Sequence, residues 1–87
     1  MAVPIIPTDL TADEQRVMLA LDDEREYWLH SRQIHEHIGR AIHEAKIDRI
    51  LDAMRGLRIA KQDDDGRWSI TPEGIALVAD IRQEVTL

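Results

Sequence analysis

The chain has 87 residues and a mass of 10.0 kDa, the size of one small domain. It has no cysteine, which excludes disulfides and thiol chemistry, and no apolar run near the roughly 18 residues that span a bilayer. Its net charge of −6 disfavours nucleic acid as a partner for the chain taken as a whole. These features predict a small cytoplasmic protein.

The first nine residues are predicted to be an extended arm, and residues 10–87 a single domain. Pro4 and Pro7 interrupt regular structure in the arm. Thr11 and Glu14 then form the pattern of a capping box at the start of a first helix, over about residues 12–22. Its apolar stripe is Val17, Met18 and Leu21.

The middle of the chain predicts a brief strand and two further helices. The segment 27–29 (Tyr-Trp-Leu) is too short for a helix and is expected to be the strand. Ser31 is a suitable N-cap for the second helix, and Gly39 a suitable stop. The third helix has the clearest periodicity and should end at Gly56; its inward residues are Ile47, Ile50, Leu51 and Met54.

The last third predicts a hairpin followed by a helix. Strands over 58–62 and 67–71 flank an Asp-Gly turn signal at Asp65 and Gly66. Thr71 and Pro72 suit the N-cap and first position of a last helix, whose apolar stripe is Ile75, Leu77, Val78, Ile81 and Val85. The predicted class is mainly α with a small antiparallel sheet, in the order α-β-α-α-β-β-α.

Three segments together resemble the winged helix-turn-helix family over roughly residues 10–83. Residues 31–39 (SRQIHEHIG) are similar to the first helix of the helix-turn-helix and its turn, and residues 47–59 (IDRILDAMRGLRI) to a recognition helix entering the wing. Residues 68–74 (WSITPEG) are similar to the exit from the wing. The resemblance implies a transcriptional-regulator-like protein with its third helix in the major groove of double-stranded DNA.

The charge is unevenly distributed along the chain. Residues 9–26 contain seven acids and two bases (−5), and residues 62–87 contain six acids and two bases (−4). Residues 30–61 contain seven bases and four acids (+3). The segment that this fold would present to DNA is therefore the positive one.

The candidate DNA-binding residues are basic side chains around the third helix, namely Arg32, Arg40, His43, Lys46 and Arg49. About five neutralised phosphates would give a log–log salt slope near −4 to −5. The alternative is a solvated helix face on which Arg49 pairs with Asp52, and Asp48 with Arg55.

The predicted tip of the wing is acidic, with Asp63, Asp64 and Asp65 where DNA-binding relatives usually have bases. These carboxylates would be repelled by phosphate, so the wing is expected to stay away from DNA. An alternative function is therefore a protein-interaction module, of the kind found in phage- or plasmid-type inhibitors and adaptors, which binds a basic partner through Asp63–Asp65 and the acidic loop 22–26. The other interpretation of the triplet is a solvent-exposed hairpin turn without a binding role.

The sequence favours neither an enzyme nor a cofactor or metal site. His35 and His37 are two residues apart on a helix and face different directions, and there is no glycine-rich phosphate loop. Trp28 and Trp68 are expected to pack in the core. A homodimer could use the apolar arm residues 3–6 or the stripe of the last helix.

Overall fold

The computed structural model describes residues 10–85, with side chains as far as Gln83. In chain order the elements are α1 (Ala12–Asp23), α2 (Ser31–Ile38), a 3₁₀ turn (Gly39–Ala41), α3 (Glu44–Gly56), β1 (Ala60–Gln62), β2 (Trp68–Ile70) and α4 (Pro72–Val85). β1 and β2 form a two-stranded antiparallel sheet. The predicted class, mainly α with a small antiparallel sheet, is confirmed. The predicted arm over residues 1–9 lies outside the described residues.

Helix α1 is at the centre of the fold, in contact with the other three helices and with β2. Its capping box is confirmed: Thr11 N–H donates to Glu14 Oε1 (2.9 Å), and Glu14 N–H donates to Thr11 Oγ1 (3.2 Å). Val17, Met18 and Leu21 are buried as predicted. On α4, the predicted stripe residues Leu77, Val78 and Ile81 are also buried, which leaves little of the stripe for a dimer interface.

The start of α2 differs by one residue from the prediction. His30 is the N-cap, and Ser31 is the first helical residue. The reason is that Gln33 reaches back and accepts the His30 N–H through Oε1 at 2.8 Å. The predicted stop at Gly39 is confirmed, since this residue ends α2 with a φ of 79°.

The predicted strand over residues 27–29 is wrong in extent, because only Leu29 joins the sheet. Leu29 forms an isolated antiparallel bridge with Trp68, with N–H to O distances of 2.8 and 2.6 Å. The Tyr27 N–H donates to the Glu24 carbonyl at 2.9 Å, so the chain is still completing a turn two residues earlier. The first β element of the predicted order is therefore a single residue pair.

The end of α3 has an uncommon backbone geometry. The helix ends at Gly56 as predicted, but Gly56 does not have a positive φ. Arg58 takes the left-handed conformation instead, with a φ of 65°. Leu57 N–H still donates to the Ala53 carbonyl (3.0 Å), so the chain leaves the helix only after Leu57.

The hairpin is connected to α4 by a close approach at Gly74. Thr71 is the N-cap of α4, as predicted: its Oγ1 accepts the Gly74 N–H at 3.1 Å and donates to the Arg58 carbonyl at 2.8 Å. A Cβ on Gly74 would overlap the carbonyl oxygen of Ile59 and crowd Ile70 and Met18. The start of α4 therefore packs directly against the segment that follows α3.

The α3 geometry predicts that two substitutions stabilise the protein. Gly56→Ala should raise the free energy of unfolding by about 0.5–1 kcal/mol, because Gly56 is helical and an added Cβ meets no other atom. Arg58→Gly should also stabilise, by up to about 1 kcal/mol, because glycine removes the cost of a left-handed L-residue.

Urea denaturation of the two variants measures both effects. Gly66→Ala, at a φ of 81°, is the matched control and should destabilise. A loss of stability in Gly56→Ala would contradict the assignment of the left-handed position to Arg58.

Candidate nucleic-acid interface

The outward face of α3 is set by its buried residues. Ile47, Ile50, Leu51 and Met54 face the core, which turns Ala45, Arg49 and Asp52 to solvent. Lys46 lies on the flank of this face beside α1. The exposed face carries the acids Glu44, Asp48 and Asp52 beside Arg49, so its charge is mixed.

Lys46 is joined to α1 by a salt bridge that the sequence did not predict. Its Nζ lies 2.6 Å from Asp13 Oδ2, and Arg16 Nη1 lies 3.3 Å from the other oxygen of the same carboxylate. The hydrogen bond from Lys46 lowers the pKa of Asp13. Lys46 is therefore paired within the protein, although its side chain is 58% exposed.

His43 has a structural role that the sequence interpretation did not include. It is the N-cap of α3, and its Nδ1 accepts the Ala45 N–H at 3.2 Å. An accepting Nδ1 carries no proton, so the neutral ring has its proton on Nε2. His43 therefore has one donor to offer an acceptor outside the helix, such as a phosphate oxygen or a base.

Arg40 and Arg49 are exposed and form no salt bridge within the described residues. The expected pair between Arg49 and Asp52 is absent, because Asp52 instead pairs with Arg55 at 3.2 Å. Asp48 does not pair with Arg55 either. The interpretation of α3 as a face of paired charges is therefore wrong at Arg49.

Arg32 stands apart from the other candidates, on α2. Its Nε lies 3.7 Å from Glu36 Oε1, and both side chains are highly exposed (81% and 68%). A pair this open contributes little to stability and is easily exchanged.

Only some of the predicted DNA-binding residues lie close together. A shallow groove between α1 and α3, here called the α1–α3 groove, is lined by Glu14, His43, Ala45, Lys46, Arg49, Ile50 and Ala53. It thus collects three of the five predicted residues. Arg40, in the 3₁₀ turn, and Arg32 do not line it.

The acidic turn of the hairpin is held by one of its own carboxylates. Asp63 Oδ1 accepts the N–H groups of Asp65 (3.0 Å) and Arg67 (2.8 Å), and its Oδ2 accepts Arg67 Nε at 2.9 Å. Asp65 pairs with the same guanidinium at 3.2 Å. Only Asp64 of the triplet has no partner within the described residues, so the docking surface expected at Asp63–Asp65 is largely engaged in the turn.

The two tryptophans have different environments. Trp68 is buried as predicted, with the Arg55 guanidinium 5.5 Å from the centre of a Trp68 ring. Trp28 is 39% exposed and Tyr27 61% exposed, so the prediction that Trp28 lies in the core is wrong. Both residues belong to the turn that precedes Leu29, and only Leu29 pairs with the sheet.

Comparison with known proteins gives no family assignment: no protein-family model matches the chain, and no curated protein matches it significantly. Within residues 10–85, no three His, Asp or Glu side chains gather as metal ligands. No helix in that range is both long and apolar enough to cross a membrane.

The geometry of Asp63 predicts a specific acid sensitivity of the hairpin. Desolvation opposes ionisation of this carboxyl, but hydrogen bonds from the Arg67 backbone and its positive charge lower the pKa below its ordinary value. The stabilisation is therefore present above about pH 4 and is lost as the pH falls through the lowered pKa.

Asp63→Asn should be less stable than the native chain at neutral pH, and the difference should shrink as the pH falls below about 4. Urea midpoints across this pH range measure it. Asp64→Asn is the control and should leave the midpoint at neutral pH unchanged. A constant difference for Asp63→Asn at all pH values would contradict the assignment.

Proposed function

We propose that this protein is a winged-helix DNA-binding protein of the transcription-regulator kind, with α3 in the major groove. The proposal rests on the side chains of Arg40 and Arg49, which are exposed and form no salt bridge within the described residues. Most other Lys and Arg side chains are paired with acids of the same chain, at Arg16, Arg25, Arg32, Lys46, Arg55, Arg67 and Arg82. In the part of the chain that the structure describes, Arg40 and Arg49 form no such pair; Arg49 lies in the N-terminal half of the helix that would read the bases, and Arg40 lies in the 3₁₀ turn before it.

The element order supports this proposal. Two short helices, α2 and α3, are joined by a tight turn and followed by a hairpin and a last helix. This order agrees with the resemblance drawn from residues 31–39, 47–59 and 68–74, which implies a recognition role for α3. A fold by itself does not establish DNA binding, so the exposed side chains of Arg40 and Arg49 are the stronger support.

The hairpin contributes no cation at its tip in this proposal. Arg67 is occupied by Asp63 and Asp65, and Asp64 adds an unpaired negative charge. Contact with DNA is therefore assigned to α3 and the 3₁₀ turn. The same pairing weakens the alternative of a basic partner docked at Asp63–Asp65.

The ion pairs also revise the expected salt dependence. A cation already paired with a carboxylate gives little net counterion release, because the freed carboxylate recruits a cation from solution. With Lys46 and Arg32 paired, Arg40 and Arg49 remain as full contributors. The log–log slope should then be near −2 rather than the −4 to −5 expected from five phosphates.

Replacement of Arg49 tests the proposal directly. Arg49→Ala should weaken binding to a duplex by about tenfold, since a lost base or phosphate contact costs about 1–3 kcal/mol. Fluorescence anisotropy with a labelled duplex at low salt gives the affinity.

The matched control is Arg25→Ala, which removes the same charge from the loop after α1 and should change the affinity by less than about twofold. Absence of duplex binding by the native chain at low salt, or equal effects of the two variants, would refute the proposal.

Replacement of Asp13 tests the role of Lys46. Asp13→Asn should tighten duplex binding by roughly threefold and steepen the salt slope by about one, because Lys46 then neutralises a phosphate without leaving a carboxylate behind. The measurement is the same anisotropy titration, repeated over a range of salt.

Asp80→Asn on α4 removes the same negative charge and is the control; its slope should equal that of the native chain. An unchanged slope in Asp13→Asn would show that Lys46 does not reach DNA.

A further inference from the structure

A second surface lies between the loop after α1 and helix α2. We call it the acid–aromatic recess; the lining residues that matter here are Glu24, Tyr27, Trp28, Gln33, Glu36 and His37. None of them belongs to the α1–α3 groove. The recess combines two aromatic rings with two carboxylates.

The exposure of its rings sets the recess apart from the rest of the molecule. The described large hydrophobic side chains are mostly buried, whereas Tyr27 is 61% and Trp28 39% exposed. Tyr and Trp supply much of the binding energy where proteins meet, because they bury a large area with few rotatable bonds. Two neighbouring aromatic residues at the surface therefore indicate contact with a partner.

The carboxylates select the charge of that partner. Glu24 and Glu36 line the recess beside the rings, and Glu26 adds a third carboxylate in the same loop. The aromatic surface itself already attracts a cation, since Lys61 Nζ lies 5.3 Å from the centre of a Trp28 ring. Aromatic faces and carboxylates together form a receptor for a positive side chain.

The occupant that fits this chemistry is arginine. Its guanidinium can stack on a ring while donating to a carboxylate, which the compact ammonium of lysine does less well. Arg32 shows the pairing within the chain, with its guanidinium 3.7 Å from Glu36. That pair is exposed and weak, so an incoming arginine would displace it at small cost.

We propose that the acid–aromatic recess binds an arginine of a basic peptide segment on a partner protein. The N-terminal segment of the chain is a poor source of the occupant, because residues 1–9 contain no Lys or Arg. DNA is also a poor occupant, because Glu24 and Glu36 would face its phosphates. Binding of arginine in the recess does not require that α3 bind DNA, and the two are tested by different variants.

The test is an NMR titration of the full ¹⁵N-labelled chain with a blocked peptide of alternating arginine and glycine. At about 50 mM salt, the indole signal of Trp28 and the amides of Tyr27 and Glu36 should shift with saturation. The lysine–glycine peptide should bind several-fold more weakly. The Trp68 indole signal should stay fixed in every variant, as a check on the fold.

Three variants locate the binding. Tyr27→Ala should weaken binding of the arginine peptide by about threefold or more, because one aromatic ring is lost. Glu36→Gln should weaken binding of the same peptide by about twofold to threefold, because the carboxylate that pairs with the arginine is lost. Asp64→Asn removes an equal charge from the hairpin turn and should leave the affinity within about 1.5-fold.

Several outcomes would overturn the proposal. Equal effects of Glu36→Gln and Asp64→Asn would mean general attraction to the negative chain. Shifts confined to the hairpin would place the peptide elsewhere, and shifts of the recess signals by a short DNA duplex would make nucleic acid the occupant. An unchanged affinity in Tyr27→Ala would remove the aromatic contact on which the proposal depends.

Discussion

The contact between Gly74 and the carbonyl of Ile59 fixes how the last third of the chain packs on the first. Two hydrogen bonds from Thr71 stabilise this contact. Its N–H donates to the Ile59 carbonyl at 3.3 Å, and its hydroxyl donates to the Arg58 carbonyl at 2.8 Å. Because Gly74 has no side chain, the start of α4 also approaches Met18 of α1. The exit of α3, the hairpin, α1 and α4 therefore meet at one point.

The net charge of the chain does not show which charges are available at its surface, because seven of the described acids pair with bases of the same chain. Asp22 is only 7% exposed and must be paired, since an isolated buried carboxylate is costly. Arg25 and Arg82 provide that pairing, and Arg82 also binds Asp23 at 2.9 Å, which raises the pKa of the guanidinium. These contacts join α1 to α4. The charges that can act on a partner are those outside such pairs, including Arg40 and Arg49 on one surface and Glu24 on another, and those in exposed, easily exchanged pairs, such as Glu36.

The sequence predicted those features that depend on neighbours within about four residues. The capping box of Thr11, the N-cap at Thr71 and the buried stripe of α3 are local patterns and are confirmed. Features that depend on distant residues were missed. Lys46 pairs with a carboxylate 33 residues away, and Trp28 is exposed next to Leu29, which pairs with the distant Trp68. The left-handed residue was missed for another reason: glycine at 56 is the local signal for that conformation, but the hydrogen bond from Ile59 N–H to the Met54 carbonyl places it at Arg58.

The two proposed surfaces have opposite charge preferences, and this difference couples them. The net charge of −6 opposes the approach of DNA to α3 beyond the range of direct contacts, and salt screens it over about 8 Å at physiological ionic strength. A basic segment bound in the acid–aromatic recess would reduce the opposing charge without moving any helix. Binding at either surface would then favour binding at the other through the field alone, and by linkage the two effects must be equal. Such coupling weakens as salt is added, which distinguishes it from a conformational mechanism transmitted through the packed core.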